Sequence, residues 1–369
     1  MRKIIFIASF FLCGLTLSAQ TLYQQYYDDA KKHLAIEGQM NGDVRVGEWT
    51  WWHQNGQIYQ QGSFAQNGKK TGVWKTFYEN GSPRSEECYT TGTNRFWYEN
   101  GQLESEAPVV NGKRQGATKE WHQNGQLKFE GTYKNDLLEG QGTWWTDRGQ
   151  KDMEGLLING EQDGEWLFYW RTNGSIGIRG NYAMGKETGT WIYYYETGEV
   201  WRSGEYVKGE KQGVWTTFYE SGAKLHEGKF LNNKESGHWI SWYESGNVDY
   251  EGDFLKGEKT GLWKGYYDDG RLRYEMHYSQ DMRNGEEVRY FPNGKVESRQ
   301  SYKDDRYDGK YERFNISGRP EETGSFKDGD RDGVWTWYNE AGQPTYIGHF
   351  KNGKMISSED KTTAVKNRK

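Results

Sequence analysis

Residues 213–222 read GVWTTFYESG and residues 237–246 read GHWISWYESG, one phrase written twice at an interval of 24 residues. The glycine that closes the phrase recurs at Gly56, Gly81, Gly101, Gly125, Gly149, Gly174, Gly198, Gly222, Gly246, Gly270, Gly294, Gly318 and Gly342. The step is 24 residues except for two steps of 25 and one of 20, the last falling before Gly101. A second marker, G-x-[YF], keeps time with it at Gly62, Gly131, Gly180, Gly204, Gly228, Gly252, Gly324 and Gly348. Self-similarity of this period marks a repeat architecture, in which one small unit cannot bury its apolar surface alone and stacks on its neighbours. The array runs over residues 38–353.

Inside the phrase the period is two. In Trp215-Thr216-Thr217-Phe218-Tyr219 the odd-numbered residues face one way and the even-numbered the other. Glu-Ser-Gly follows, elsewhere Glu-Asn-Gly or Asp-Asp-Gly, which is hairpin-turn chemistry because these residues tolerate positive φ. A second run, Ala223 to Phe230, completes a β-hairpin, and a polar connection from Leu231 to Gly237 leads into the next repeat. An isolated hairpin is marginal in water, and the array holds no helical period that could cover it. The expected fold is therefore all-β: an elongated single-layer antiparallel meander of about thirteen 24-residue hairpin repeats. At ~4.8 Å per strand it would extend on the order of 125 Å.

Two aromatic columns would hold such a sheet together. The first is a tryptophan spine at Trp49, Trp74, Trp144, Trp166, Trp191, Trp215, Trp239, Trp263 and Trp335, with Thr118, Glu287 and Tyr311 as exceptions. The second stands three residues on, at Trp52, Phe77, Tyr169, Tyr194, Phe218, Trp242, Tyr266, Tyr290, Phe314 and Tyr338. An odd separation puts the columns on opposite faces, so ring ladders are expected on both.

The flanks differ. Arg2 and Lys3, the apolar run Ile4 to Leu17 and the small residues before Gln20 form a secretory signal peptide over residues 1–19. Residues 20–37 place Tyr23, Tyr26, Tyr27, Ala30 and Leu34 at helical spacing, which predicts a short helical segment capping the first sheet edge. Residues 354–369 are polar and lack the repeat, which predicts a disordered tail. No stretch after the leader is long and apolar enough to span a membrane.

Composition narrows the function. Formal charge is −5, and loss of Arg2 and Lys3 takes it to −7 (−5 − 2), with both signs alternating along the chain rather than forming blocks. Nucleic-acid binders carry a basic face, and this chain has none. Beyond the leader a single cysteine, Cys88, remains, so no intramolecular disulfide can form.

The phrase G-x-W-x-x-[FWY]-[YWF]-x-x-G, the connection Lys208-Gly209-Glu210-Lys211-Gln212-Gly213 and the G-x-[YF] strand together resemble the variant MORN repeat, over about 315 of 369 residues. The resemblance implies strung β-hairpins and a non-enzymatic scaffold, with lipid binding suggested for some members. The antitoxin-like label common in the family fits poorly with an exported chain.

Chemistry-bearing signals are few. The histidines His33, His53, His122, His226, His238, His277 and His349 show none of the close spacing zinc requires and read as surface substitutions. Nucleophile and phosphate-loop motifs are missing, so neither enzyme activity nor a cofactor is expected. Asp328, Asp330 and Asp332 begin as a calcium loop does, but they align with the ordinary connection between repeats and lack the closing glutamate, where Asn339 stands. A variable column two residues after the spine offers the best binding surface: Trp51, Phe168, Tyr193, Arg289, Arg313 and Trp337. Variation beside a fixed spine suits an irregular partner. The expectation is an exported, periplasmic or extracellular scaffold that binds another envelope or secreted protein. The alternative is an envelope glycan-binding (or lipid-binding) module using exposed aromatic rows, to which an aromatic content of 16% lends weight.

Overall fold

The structure is a computed structural model describing residues 20–362. Residues 1–19, the expected signal peptide, and residues 363–369 lie outside the described residues. Every element is a strand, and the chain divides at Glu161 into two compact units. Each unit is an open antiparallel meander whose strands pair with their neighbours in sequence, so the expected fold class holds.

Two turn types alternate along the meander. Strand Glu210–Phe218 meets Lys224–Leu231 through the Tyr219–Gly222 turn, closed by Tyr219 N–H donating to the Ala223 carbonyl (2.8 Å) with Gly222 at φ +86°. The next link is the stretch read as a connection, and it is itself a tight turn. Leu231 pairs with Lys234 across Asn232 and Asn233, whose φ values of +52° and +65° are those of a type I′ hairpin. Successive tight turns are joined by the main chain: Gly209 N–H donates to the Glu187 carbonyl, Asn233 to Lys211 and Gly257 to Glu235, at 2.9, 3.2 and 2.9 Å.

The G-x-W element is a bulge. Gly228 pairs with Trp239 whereas Lys229 pairs with Ser236, so Gly237 and His238 are left unpaired on that side while pairing with Phe254 and Asp253 on the other. Gly237 sits at φ +68°, open to glycine and costly for other residues. The bulge frees the Lys229 carbonyl, which accepts the indole N–H of Trp239 at 3.2 Å. The same bond recurs from Trp49, Trp74, Trp191, Trp215, Trp263 and Trp335. Each indole then lies flat over the glycine of the preceding strand. A Cβ on Gly228 would stand 2.1 Å from the Trp239 ring, and Gly38, Gly62, Gly180, Gly204, Gly252 and Gly324 are covered likewise. The glycine of G-x-[YF] therefore belongs to the next hairpin's tryptophan.

Between the indoles stand the rings of the G-x-[YF] column. From Trp166 through Tyr182, Trp191, Tyr206, Trp215, Phe230, Trp239, Phe254 and Trp263 to Tyr278, each neighbour meets the next edge to face, at 5.1 to 6.1 Å and 70 to 90°. Long cations close over the ladder, among them Lys70 on Trp74, Lys259 on Trp263 and Arg331 on Trp335, at 4.1, 4.4 and 4.2 Å.

Four expectations are corrected. Residues 20–37 form no helix: Thr21–Tyr26 is a strand paired with Leu34–Asn41, because that edge offers a ladder that the helical spacing cannot match. Tyr23 pairs with Gly38 at the position a spine tryptophan holds elsewhere, and packs on Trp49 at 5.6 Å. Residues 354–360 of the expected disordered tail are strand Lys354–Asp360, paired with Pro344–Lys351. Trp144 is not in the spine. Gly142 pairs with Gly155 at the spine position, and Trp144 stands two residues later against Phe129 at 4.8 Å. The second aromatic column, from Tyr194 to Tyr338, forms no ring ladder. Two of its tyrosines hydrogen-bond to carboxylates instead, Tyr266 to Glu251 (2.6 Å) and Tyr290 to Glu275 (3.0 Å).

Candidate functional site

The two faces offer different chemistry. On the spine face the indoles Trp49, Trp74, Trp166, Trp191, Trp215, Trp263 and Trp335 are buried. The variable column leans on them. Trp51 lies between Trp49 and Trp74 at 5.7 and 5.5 Å, Phe168 meets Trp166 at 6.1 Å, and Tyr193 meets Trp191 at 6.2 Å. Trp337 contacts Trp335 at 6.3 Å. These four side chains are thus half-buried members of the ladder. Burial among rings raises the Tyr193 hydroxyl well above the ordinary phenol range. Arg289 and Arg313 instead hold carboxylates: Arg289 meets Glu287 at 2.7 Å, and Arg313 meets Glu321 at 3.5 Å.

The opposite face carries charged pairs between strands, such as Lys75–Glu86 (3.1 Å) and Lys119–Glu130 (3.3 Å), each individually weak. Burial and the Glu251 hydrogen bond push the Tyr266 hydroxyl up to about 12. Alongside run exposed apolar residues. Val207, Leu231 and Leu255 precede successive tight turns at the repeat interval and are 49, 58 and 60% exposed. Val214 and Leu262, also exposed, precede the spine tryptophans.

Asp328 and Gly329 form an ordinary tight turn at φ +51° and +96°, and the Asp328 N–H donates to Asp308 at 3.2 Å. Among the described residues no group of three or more His, Cys, Asp or Glu side chains could hold a metal ion. Cys88 is buried, its sulfur 3.6 Å from the Thr90 hydroxyl.

One structural role went unread in the sequence. Where a tyrosine opens the wide turn it reaches to the next hairpin's main chain: Tyr219 donates to the Trp242 carbonyl (2.9 Å), Tyr195 to Phe218 (2.8 Å) and Tyr243 to Tyr266 (2.9 Å). His53 and His122 make the same link to Phe77 (3.2 Å) and Trp145 (2.9 Å), so these two are staples rather than surface substitutions. The signal was their alignment with the tyrosines.

The MORN repeat variant matches residues 45–66, 70–91, 90–111, 114–135, 187–208, 235–256, 259–280, 283–304 and 331–352, more than half of the 369. The chain belongs to this family. A comparison with curated proteins gives no match. Among solved structures, the TcdB2-TccC3 crystal structure is 11% identical, covering 95% of this MORN-repeat chain and 24% of its own, at a TM-score of 0.17. The TcdB2-TccC3-Cdc42 complex is 10% identical over 89% of this chain and 23% of its own, at a TM-score of 0.14. A Photorhabdus luminescens Tc holotoxin pore is 11% identical over 89% of this chain and 24% of its own, also at 0.14. The chain spans about a quarter of the length of these structures, and superpositions this loose carry no argument.

Proposed function

We propose that the protein is an exported, non-enzymatic repeat scaffold that binds another envelope or secreted protein along the face turned away from the ring ladder. The observation carrying this reading is the periodic exposure of Val207, Leu231 and Leu255, with Val214 and Leu262 beside them. Apolar side chains repeated on one exposed face, amid charged pairs, are surface of the kind a protein partner covers. Export rests on the leader at residues 1–19. A glycan- or lipid-binding module is less well supported, because most spine indoles are buried and the ladder rings meet edge to face, leaving few ring faces for a sugar to stack on.

The test is retention of the tagged mature chain on envelope fractions, with and without prior protease digestion of the fraction. Retention lost on digestion, and lost also in a Val207→Lys/Leu231→Lys/Leu255→Lys variant, is the expected result. Binding that survives digestion would overturn the protein-partner reading in favour of glycan or lipid.

A further inference from the structure

Two successive junctions of the second unit break the spine rule on both strands, Met276 with Glu287 and Gln300 with Tyr311, and the first of them leaves an open space. Met276 stands where the covered glycine belongs, and Glu287, its register partner, stands where the tryptophan belongs. Elsewhere the G-x-[YF] ring meets the next indole closely: Tyr206 to Trp215, Phe230 to Trp239 and Phe254 to Trp263, at 5.2, 5.2 and 5.1 Å. Tyr278 contacts the indole behind it, Trp263 at 6.1 Å, and has no indole ahead. The Glu287 carboxylate turns forward, accepting from Gln300 and from the Tyr302 hydroxyl (3.2 Å).

Here lies a cleft of about 550 Å³, within the size range of small-molecule sites. Met276 and Glu287, both 2% exposed, contribute its buried lining, and the Tyr274 and Tyr278 rings line it as well. Three arginines complete the lining. Arg283 is committed elsewhere, with Nε on Asp305 (3.0 Å), Nη1 on the Tyr302 hydroxyl (3.1 Å) and Nη2 on the Asp305 carbonyl (3.3 Å). Arg273 holds Asp249 at 3.3 Å and the Tyr243 hydroxyl at 3.4 Å. Arg289 is different. Its Nη2 is anchored by Glu287 at 2.7 Å while half of the side chain stays exposed, which presents its remaining donors in a fixed orientation.

We infer that this cleft binds an aromatic carboxylate, with the ring taking the place of the missing indole against Met276 and Tyr278, and the carboxylate held by Arg289. The Met276 side chain with the Tyr274 and Tyr278 rings suits a flat ring, and the guanidinium of Arg289, oriented by Glu287, suits a carboxylate on its exposed side. The same chemistry is offered by a free aromatic acid and by an aromatic residue beside an acidic one on a partner chain. The inference stands independently of the scaffold reading.

The experiment titrates N-acetyl-tryptophan into the full mature chain by calorimetry. Saturable binding with Kd on the order of 100 µM is expected for a ligand of this size. Replacing the carboxylate by an amide, or Arg289 by Gln, should weaken it about tenfold by removing a charge-assisted hydrogen bond. Met276→Gly/Glu287→Trp rebuilds the ordinary repeat, and should abolish binding while the melting temperature stays level or rises. Acetyl-Glu-Trp-Glu-amide separates the sources: tighter binding than the free acid assigns the ligand to a partner chain, weaker binding to a small acid, and both support the site. Absence of saturable binding, equal binding by the amide, or full binding by the rebuilt variant would overturn it.

Discussion

At Gly204 the space for a side chain is taken by the indole of Trp215, 2.1 Å from where a Cβ would stand. Removing that indole leaves a hole at a buried site, so Trp215→Ala is expected to cost about 3–5 kcal/mol in urea unfolding. The staples are individually smaller. Tyr219→Phe deletes one hydroxyl-to-carbonyl bond and should cost about 1 kcal/mol by the same measurement. His226 supplies a pH signature. Burial lowers its folded pKa beneath the usual 6.5, opposed by Asp249, so protonation costs the folded state. Its contribution is complete above the unfolded pKa and is lost as pH falls through that value toward the folded one. Stability of the protein should therefore decline from pH 7 to 5 more steeply than that of His226→Gln, and an NMR titration should place the His226 midpoint below 6.5. A midpoint above 6.5 would refute the assignment.

The single hairpin was the element most legible in the sequence, because alternation and the Glu-Ser-Gly turn both specify it. The tight turn at Asn232-Asn233 was less so, since without glycine it looks like any polar connection. Trp144 misled because a glycine, Gly142, holds the spine position in that repeat, and only strand pairing shows that the tryptophan two residues later does not. The ends misled for a related reason: Thr21–Tyr26 and Lys354–Asp360 carry no repeat phrase and become strands because an open edge is there to pair with. The glycine–tryptophan dependence was written in the columns, where Met276 and Glu287 depart together, yet its cause is a contact between neighbouring hairpins. If that period is the physical unit, deleting residues 214–237 should leave a folded chain with its circular dichroism per residue unchanged. Deleting 214–225, half a repeat, would join unlike turns and should unfold the neighbourhood.

Across the second unit the ladder runs unbroken from Trp166 to Tyr278, then resumes through Tyr302, Tyr307, Phe326, Trp335 and Phe350. Stability in a repeat array is approximately a sum of unit and nearest-neighbour terms, so the array should open first where neighbours couple least. Hydrogen exchange should find amides of residues 282–303 less protected than those of 210–255, and uniform protection would show that the break carries no energetic weight. Everything at this scale depends on one coupling, that of a tryptophan to the glycine of the hairpin before it. The direct measurement is a double-mutant cycle of Gly204→Ala, Trp215→Ala and the pair, read by urea unfolding. An interaction energy of about 1–3 kcal/mol, the pair costing less than the sum of its singles, is the predicted result. Additivity within about 0.5 kcal/mol would contradict the account.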